Sequence, residues 1–201
     1  MMLALTGASI DGSLYVDVVD LARSSPAWLD DGLSAWSTYG LVVFAALMVV
    51  GWWRARRVGT VAAAQALAVP VIVVLAYGVD ALLKQVVREE RPCRSLHIRT
   101  LEACPAPGDW SFPSNHAAIA VAAAVALLFV SRRLGTIATV AACVMAVSRV
   151  WVGAHYPHDI AAGVLVGAVV AMFGMQLPRR FPDALVRRIT ATPLRPLLLA
   201  S

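Results

Sequence analysis

The chain is short of charge. Only 14% of its 201 residues are Asp, Glu, Lys or Arg, while 60% are hydrophobic. An ordinary soluble domain carries about 25% charged residues, so that class is excluded and a membrane protein is the default reading. Lysine is almost absent: Lys84 is the one lysine among seventeen cations, leaving sixteen arginines. No stretch interleaves aromatic with basic residues, which argues against a nucleic-acid partner despite a formal charge of +5. In a membrane chain such a surplus reports topology and lipid headgroups. Residues 1–35 lack a basic n-region and a clear apolar h-region, so they do not read as a cleaved signal peptide.

What the chain has is apolar length. Runs at about 39–53, 60–79, 117–130, 136–152 and 160–177 predict five transmembrane helices. The expected fold is all-α, an integral membrane helical bundle with an N-terminal interfacial helix. A bilayer core of about 30 Å needs roughly 20 residues per span, which leaves no room for a second soluble domain. The expected organisation is an interfacial segment over residues 1–35, a transmembrane domain over 36–178 and a basic tail over 179–201. In the first segment Leu14, Val18 and Leu21 share a helical face, with Asp17 and Asp20 away from it, before Pro26 interrupts.

Arginines punctuate the spans. Arg54, Arg56 and Arg57, then Arg132 and Arg133, then Arg179 and Arg180 follow the first, third and fifth runs, and the positive-inside rule makes that side cytoplasmic. Residues 88–112 and 155–157 then face outward. Arg88, Arg91, Arg94 and Arg99 in the long outer loop run against a simple charge count, an excess attributed in part to function. Pro70 is expected to kink or loosen its span. Gly163 and Gly167 permit close helix packing, within the chain or between copies, and leave monomer and dimer open. Cys93 and Cys104 bracket ten residues, either as two thiols or as a disulfide in an oxidising compartment. Cys143 reads as a small core residue.

Ionisable groups gather where the spans meet the outer side, and at membrane depth that is a functional signal. Lys84 and Arg91 are seven residues apart, two helical turns and one face. Phe112-Pro113-Ser114-Asn115-His116 precedes an apolar run, where Ser114 or Asn115 can cap and free N–H groups favour an anion. Ser148-Arg149 is followed by His155 and, four residues on, Asp159, with Pro157 suited to a helix start. Each cluster alone has a plain structural reading, as snorkelling cations, a capped helix or a polar turn. Together, three cations, two histidines and a carboxylate on one membrane face point to a phosphoryl group.

These motifs, K-x6-R-P from Lys84 to Pro92, P-S-x-H from Pro113 to His116 and S-R-x5-H-x3-D from Ser148 to Asp159, resemble the type-2 phosphatidic acid phosphatase family. The resemblance covers about residues 36–178. Asn115 departs from the family's usual glycine, and its tolerance of the left-handed region suits it to that position. The resemblance implies a metal-independent lipid phosphatase without cofactor. His155 would be the nucleophile that becomes a phosphohistidine, Asp159 would orient it, and His116 would be the general acid and base. Lys84, Arg91, Arg149, Ser114 and Asn115 would bind phosphate. His158 competes with His155 for the nucleophile's place, but the spacing from Arg149 favours His155 and puts His158 at the rim. His97 is read as a surface residue, and Asp80 as an i,i+4 ion partner of Lys84.

The implied substrate is a lipid phosphate, with polyprenyl (undecaprenyl or decaprenyl) diphosphate favoured in a bacterial plasma membrane and the active site outside. Phosphatidylglycerophosphate, phosphatidic acid and a polyprenyl-phosphoribose phosphate stay open. A lipid-phosphate binder or transporter is the alternative from another class, since it would need the cations but not a nucleophile with an acid partner.

Overall fold

The computed structural model describes residues 8–198, and among these the chain is all-helical. The elements are α1 (Ala8–Arg23), α2 (Ala27–Tyr39), α3 (Leu41–Arg56), α4 (Thr60–Val87), α5 (Pro92–Ser95), α6 (Asn115–Val130), α7 (Arg132–Trp151), α8 (Pro157–Gly174), α9 (Gln176–Arg180) and α10 (Pro182–Thr190), followed by a 3-10 turn at Arg195–Leu197.

The bundle is built around α6. Alanine lines most of its circumference, with Ala117, Ala118, Ala120, Ala122, Ala123, Ala124 and Ala126 all buried, so α4, α7 and α8 approach its backbone closely. The tightest approach is to α8. A Cβ at Gly163 would fall 2.5 Å from the Ser114 carbonyl oxygen, and one at Gly167 would press as hard on that of Ala118. These glycines therefore serve packing within the chain. Val71, Val74, Leu75 and Leu82 on α4 and Leu165 and Phe173 on α8 stay exposed, as side chains that face lipid do.

Three helical stretches, Thr60–Ser95, Arg132–Trp151 and Pro157–Arg180, are long and apolar enough to cross a membrane. The bent pair α2 and α3, broken by 54°, makes a fourth if it counts as one span. The remaining apolar helix, α6, has 16 residues and so is about 24 Å long against a core of about 30 Å. Three to four spans are thus supported, and the remaining one of the five expected, the run at 117–130, is this shorter helix, enclosed by its neighbours. α4 continues through Pro70 without a break, the proline ring lying on the exposed side.

Other expectations are corrected. Cys143 is exposed, because the buried stripe of α7 runs through Ala138, Ala141, Ala142 and Met145, and residue 143 falls outside it. On α1 the buried face is Tyr15, Val19 and Ala22, which leaves Leu14 and Leu21 pointing outward beside the exposed acids Asp17 and Asp20.

The arginine clusters collect at one end of the bundle. There the Arg56 guanidinium lies 4.8 Å from the Trp52 ring and that of Arg179 lies 5.1 Å from the Phe129 ring. The apolar face of α10, Leu185, Val186 and Ile189, packs on Ala63 and Ala64 of α4 at the same end. The opposite end holds the α4–α6 connection and the α7–α8 turn, which meet through the Glu102 N–H donating to the Val152 carbonyl at 3.2 Å.

Candidate functional site

His155 is the centre of that end. It lies in the turn between α7 and α8 with 2% of its side chain exposed. The turn closes back on α7, since the N–H groups of Ala154 and His155 donate to the Arg149 carbonyl at 3.0 and 3.3 Å. Pro157 then starts α8 as its sequence position foretold, and Asp159 in the first turn accepts the Tyr156 N–H on Oδ2 at 2.8 Å. The same Oδ2 is 3.4 Å from His155 Nδ1.

The other ring nitrogen faces a cation. Arg91 Nη1 lies 2.9 Å from His155 Nε2 and donates to the Ala154 carbonyl at 2.9 Å. A guanidinium only donates, so Nε2 is the unprotonated nitrogen and the ring proton sits on Nδ1, toward Asp159. Burial, then the charges of Arg91, Arg149 and Lys84, hold the His155 pKa well below its ordinary value. The ring is therefore neutral near pH 7, with a lone pair on the side of Arg91.

Lys84 and Arg91 do converge on this place, but not along one helical face. α4 ends at Val87, Arg88 takes a left-handed conformation (φ 52°), and Arg91 is extended, as a residue before proline is biased to be. A chain reversal brings them together. Lys84 Nζ donates to the carbonyls of Trp110 and Ser111 at 2.8 and 3.1 Å. The expected Asp80–Lys84 pair is close enough for the two charges to sense each other but makes no direct contact: Asp80 is fully buried on α4 with no hydrogen bond to either carboxylate oxygen.

The second motif packs against the third, because the Ser114 N–H donates to the Asp159 carbonyl at 3.1 Å. Ser114 is the N-cap residue of α6 by backbone, yet neither it nor Asn115 caps with its side chain. Ser114 Oγ and Asn115 Oδ1 are buried without a hydrogen-bond partner, and so is Arg149 Nε. Asn115 begins the helix in ordinary helical geometry, so the left-handed tolerance expected of it is not used. His116, on the first turn of α6, is near enough to Arg149, Arg91 and Lys84 to sense their charges.

Several participants went unnoticed in the sequence. Ser111 is fully buried and donates to Asp159 Oδ2, with its Oγ 3.5 Å from His155 Nδ1. Its place two residues before Pro113 in W-S-F-P-S was the available signal. Ser37 of α2 accepts from Arg149 Nη1, as does Glu102 Oε1 at 3.1 Å, and Asp109 Oδ1 accepts from Arg91 Nη2 at 2.8 Å. No local pattern marks these three. Cys93 and Cys104, with Cα atoms 5.9 Å apart, are joined by a disulfide that closes the loop carrying Glu102. His97 is exposed.

His158 is not a rim residue. Its N–H and its Nδ1 meet the Asp11 carboxylate at 2.7 and 2.8 Å, and Nε2 lies 3.0 Å from Glu89 Oε1. The ring is thus committed to two carboxylates. Glu89, His158 and Asp159 offer ligand atoms within 4.8 Å of one another, the one group of that kind among the described residues. Both nitrogens of the His158 ring face a carboxylate, Asp11 on Nδ1 and Glu89 on Nε2, so the ring has no free lone pair to offer a metal.

An all-helical membrane chain with two arginines, a lysine and a neutral imidazole around one buried point defines an anion-handling membrane protein. Residues 65–183 match the PAP2 superfamily, and the chain belongs to it. Undecaprenyl-diphosphatase BcrC of Bacillus subtilis is 33% identical over 112 residues, 54% of this chain and 57% of that protein. Decaprenylphosphoryl-5-phosphoribose phosphatase of Mycobacterium tuberculosis is 36% identical over 132 residues, 65% of this chain and 67% of the relative. An undecaprenyl-diphosphatase of Sulfolobus acidocaldarius is 37% identical over 79 residues, 39% of this chain and 38% of its own length. The chain thus spans between about two fifths and two thirds of these relatives. No solved structure matches it.

Proposed function

We propose that the protein is a membrane lipid phosphatase that cleaves a polyprenyl diphosphate through a phosphohistidine on His155. The observation that carries the reading is the His155 ring, with Nε2 unprotonated and accepting from Arg91, which a phosphate oxygen would draw away, and Nδ1 toward Asp159.

Phosphoryl transfer asks the protein for an in-line nucleophile, balanced equatorial charge and a protonated leaving group. His155 Nε2 attacks phosphorus as the bond to the leaving oxygen breaks, and His116, which takes up a proton once the substrate's negative charge offsets the neighbouring cations, gives it to that oxygen. The imidazolium formed on His155 is stabilised by Asp159, which Ser111 and the Tyr156 N–H keep oriented. Water then attacks the phosphohistidine, His116 takes its proton, and inorganic phosphate leaves. Arg91, Arg149 and Lys84 hold the nonbridging oxygens, with Ser114 Oγ and the α6 N-terminus as further donors. Asn115 lies beside them and narrows the pocket where the family usually has glycine.

Two features favour a lipid substrate. The exposed apolar faces of α4 and α8 favour a site within reach of membrane lipid. The α2–α3 bend also forms a shallow, open apolar depression of about 300 Å³ lined by Ala35, Trp36, Tyr39 and Val43. The arginine clusters at the far end favour an extracytoplasmic site by the positive-inside rule, and a bacterial plasma membrane is the setting proposed for it. A second reading is a polyprenyl-phosphoribose phosphate as substrate, favoured by the longer match to the mycobacterial phosphatase.

The test is phosphate release in detergent micelles from a panel of polyprenyl diphosphate, polyprenyl-phosphoribose phosphate, phosphatidylglycerophosphate and phosphatidic acid. Fastest turnover of the polyprenyl diphosphate, lost in His155→Ala, is expected. Binding of all four without release would make the protein a lipid-phosphate binder or transporter.

A further inference from the structure

Two acidic side chains take no part in the proposed chemistry, yet both sit on its cations. Glu102 places Oε1 and Oε2 at 3.1 and 3.3 Å from Arg149 Nη1. Asp109 Oδ1 lies 2.8 Å from Arg91 Nη2. Both come from the loop between α5 and α6, outside the three motifs.

A carboxylate and a phosphate oxygen make the same charge-assisted bonds to a guanidinium. Burial shows from which side the carboxylates approach. The two arginine side chains are 7% and 8% exposed, whereas Asp109 and Glu102 are 50% and 30% exposed. The acids therefore cover the cations from the open side. Glu102 can turn without unfolding its loop, giving up the Ser37 hydroxyl that its Oε1 accepts at 2.6 Å together with Arg149. The backbone there is held separately, by the Cys93–Cys104 disulfide, by the Glu102 N–H on the Val152 carbonyl and by Thr100 Oγ1 donating to the Glu102 carbonyl at 2.7 Å.

We propose that Glu102 and Asp109 are specificity-determining residues, occupying Arg149 and Arg91 until a multiply charged phosphate ester displaces both. This rests on the phosphate-site reading above and adds a selection rule to it. A phosphodiester headgroup, with one negative charge, cannot replace two carboxylates and is repelled by them. A terminal diphosphate or a dianionic monoester brings enough charge to do so. Discrimination against the bulk phospholipid around the protein then comes from a built-in repulsive element.

The experiment uses the full chain in detergent, with Glu102→Gln, Asp109→Asn and the double variant, and titrates orthovanadate calorimetrically at low ionic strength. The double variant is expected to bind vanadate about tenfold more tightly, each single variant showing part of the gain. Inhibition of turnover by phosphatidylglycerol, a phosphodiester, is expected to strengthen more than vanadate binding does. Glu102→Asp, which keeps the charge, should retain the wild-type constant. Unchanged or weaker vanadate binding in a double variant that melts with the wild type overturns the proposal, because the acids then only hold the arginines in place. Should the double variant not fold, unchanged or weaker binding in Asp109→Asn alone overturns it equally. If wild type and variants alike bind no vanadate, the phosphate site itself falls and the selection rule with it.

Discussion

Replacing Gly163 with alanine drives a methyl group into the backbone that presents the proposed phosphate site. Its Cβ would lie 2.5 Å from the Ser114 carbonyl oxygen and 3.1 Å from Ala117 Cβ. Ordinary contact begins at 3.4 Å, so α8 and the α6 N-terminus must separate by about 0.9 Å. Overpacking of this kind costs about 1–3 kcal/mol, offset by about 1 kcal/mol of helix propensity gained over glycine. Melting should fall by only a few degrees. Activity should fall much further, since a shift near 1 Å in a reacting geometry can cost about 10²-fold. Gly167→Ala supplies the control. Its clash, with the Ala118 carbonyl, is as severe but one turn deeper and away from Ser114. The assay is kcat/KM for polyprenyl diphosphate beside thermal melting in the same detergent. Gly163→Ala that folds with wild-type kcat/KM, or Gly167→Ala that loses as much activity, would refute the link between this packing contact and the site.

Ser111→Ala removes the hydroxyl that Asp159 accepts, so kcat should fall about tenfold to a hundredfold with KM little changed, as steady-state kinetics will read. His155 is held neutral when folded, so the unfolded chain binds the extra proton as pH drops below about 6.5. Stability is therefore lost on acidification, and His155→Gln should flatten the slope of stability against pH by about 1.4 kcal/mol per unit between pH 6.5 and the depressed folded value, as denaturant titrations will measure. Reducing the Cys93–Cys104 disulfide should destabilise the chain by about 2–4 kcal/mol, visible as a lower melting temperature with a phosphine reductant. Excess EDTA should leave phosphate release unchanged, because the arginines and Lys84 supply the positive charge; activity restored only by a divalent ion would contradict that.

The spacing of polar residues carried more of the site than of the fold. His155, Asp159 and Arg149 are legible because a helix start at Pro157 and the last turn of α7 fix them locally. Lys84 and Arg91 were placed at the right end for an incomplete reason. Helical periodicity could not register the left-handed Arg88 or the bias of a residue before proline. The partners that tune the site come from far along the chain: Ser37 and Arg149 are 112 residues apart, and Asp11 and His158 are 147 apart. Only tertiary packing brings such residues together. His158 looked peripheral because its partner Asp11 lies outside any motif and Glu89 occupies an unspecified position within K-x6-R-P. Hydropathy located the spans but not the 54° break at Gly40, where a Cβ would meet the Trp36 carbonyl at 2.5 Å. It gave Cys143 no direction either, since a span apolar on all sides does not say which side faces lipid.

The central claim is that phosphate passes through His155. Rapid acid-free quenching of the enzyme with polyprenyl diphosphate labelled in its terminal phosphate, followed by peptide mapping, tests it directly. An acid-labile, base-stable label is expected on the peptide containing His155 and absent from His155→Asn. Label on His158, or wild-type turnover by His155→Asn, would contradict it.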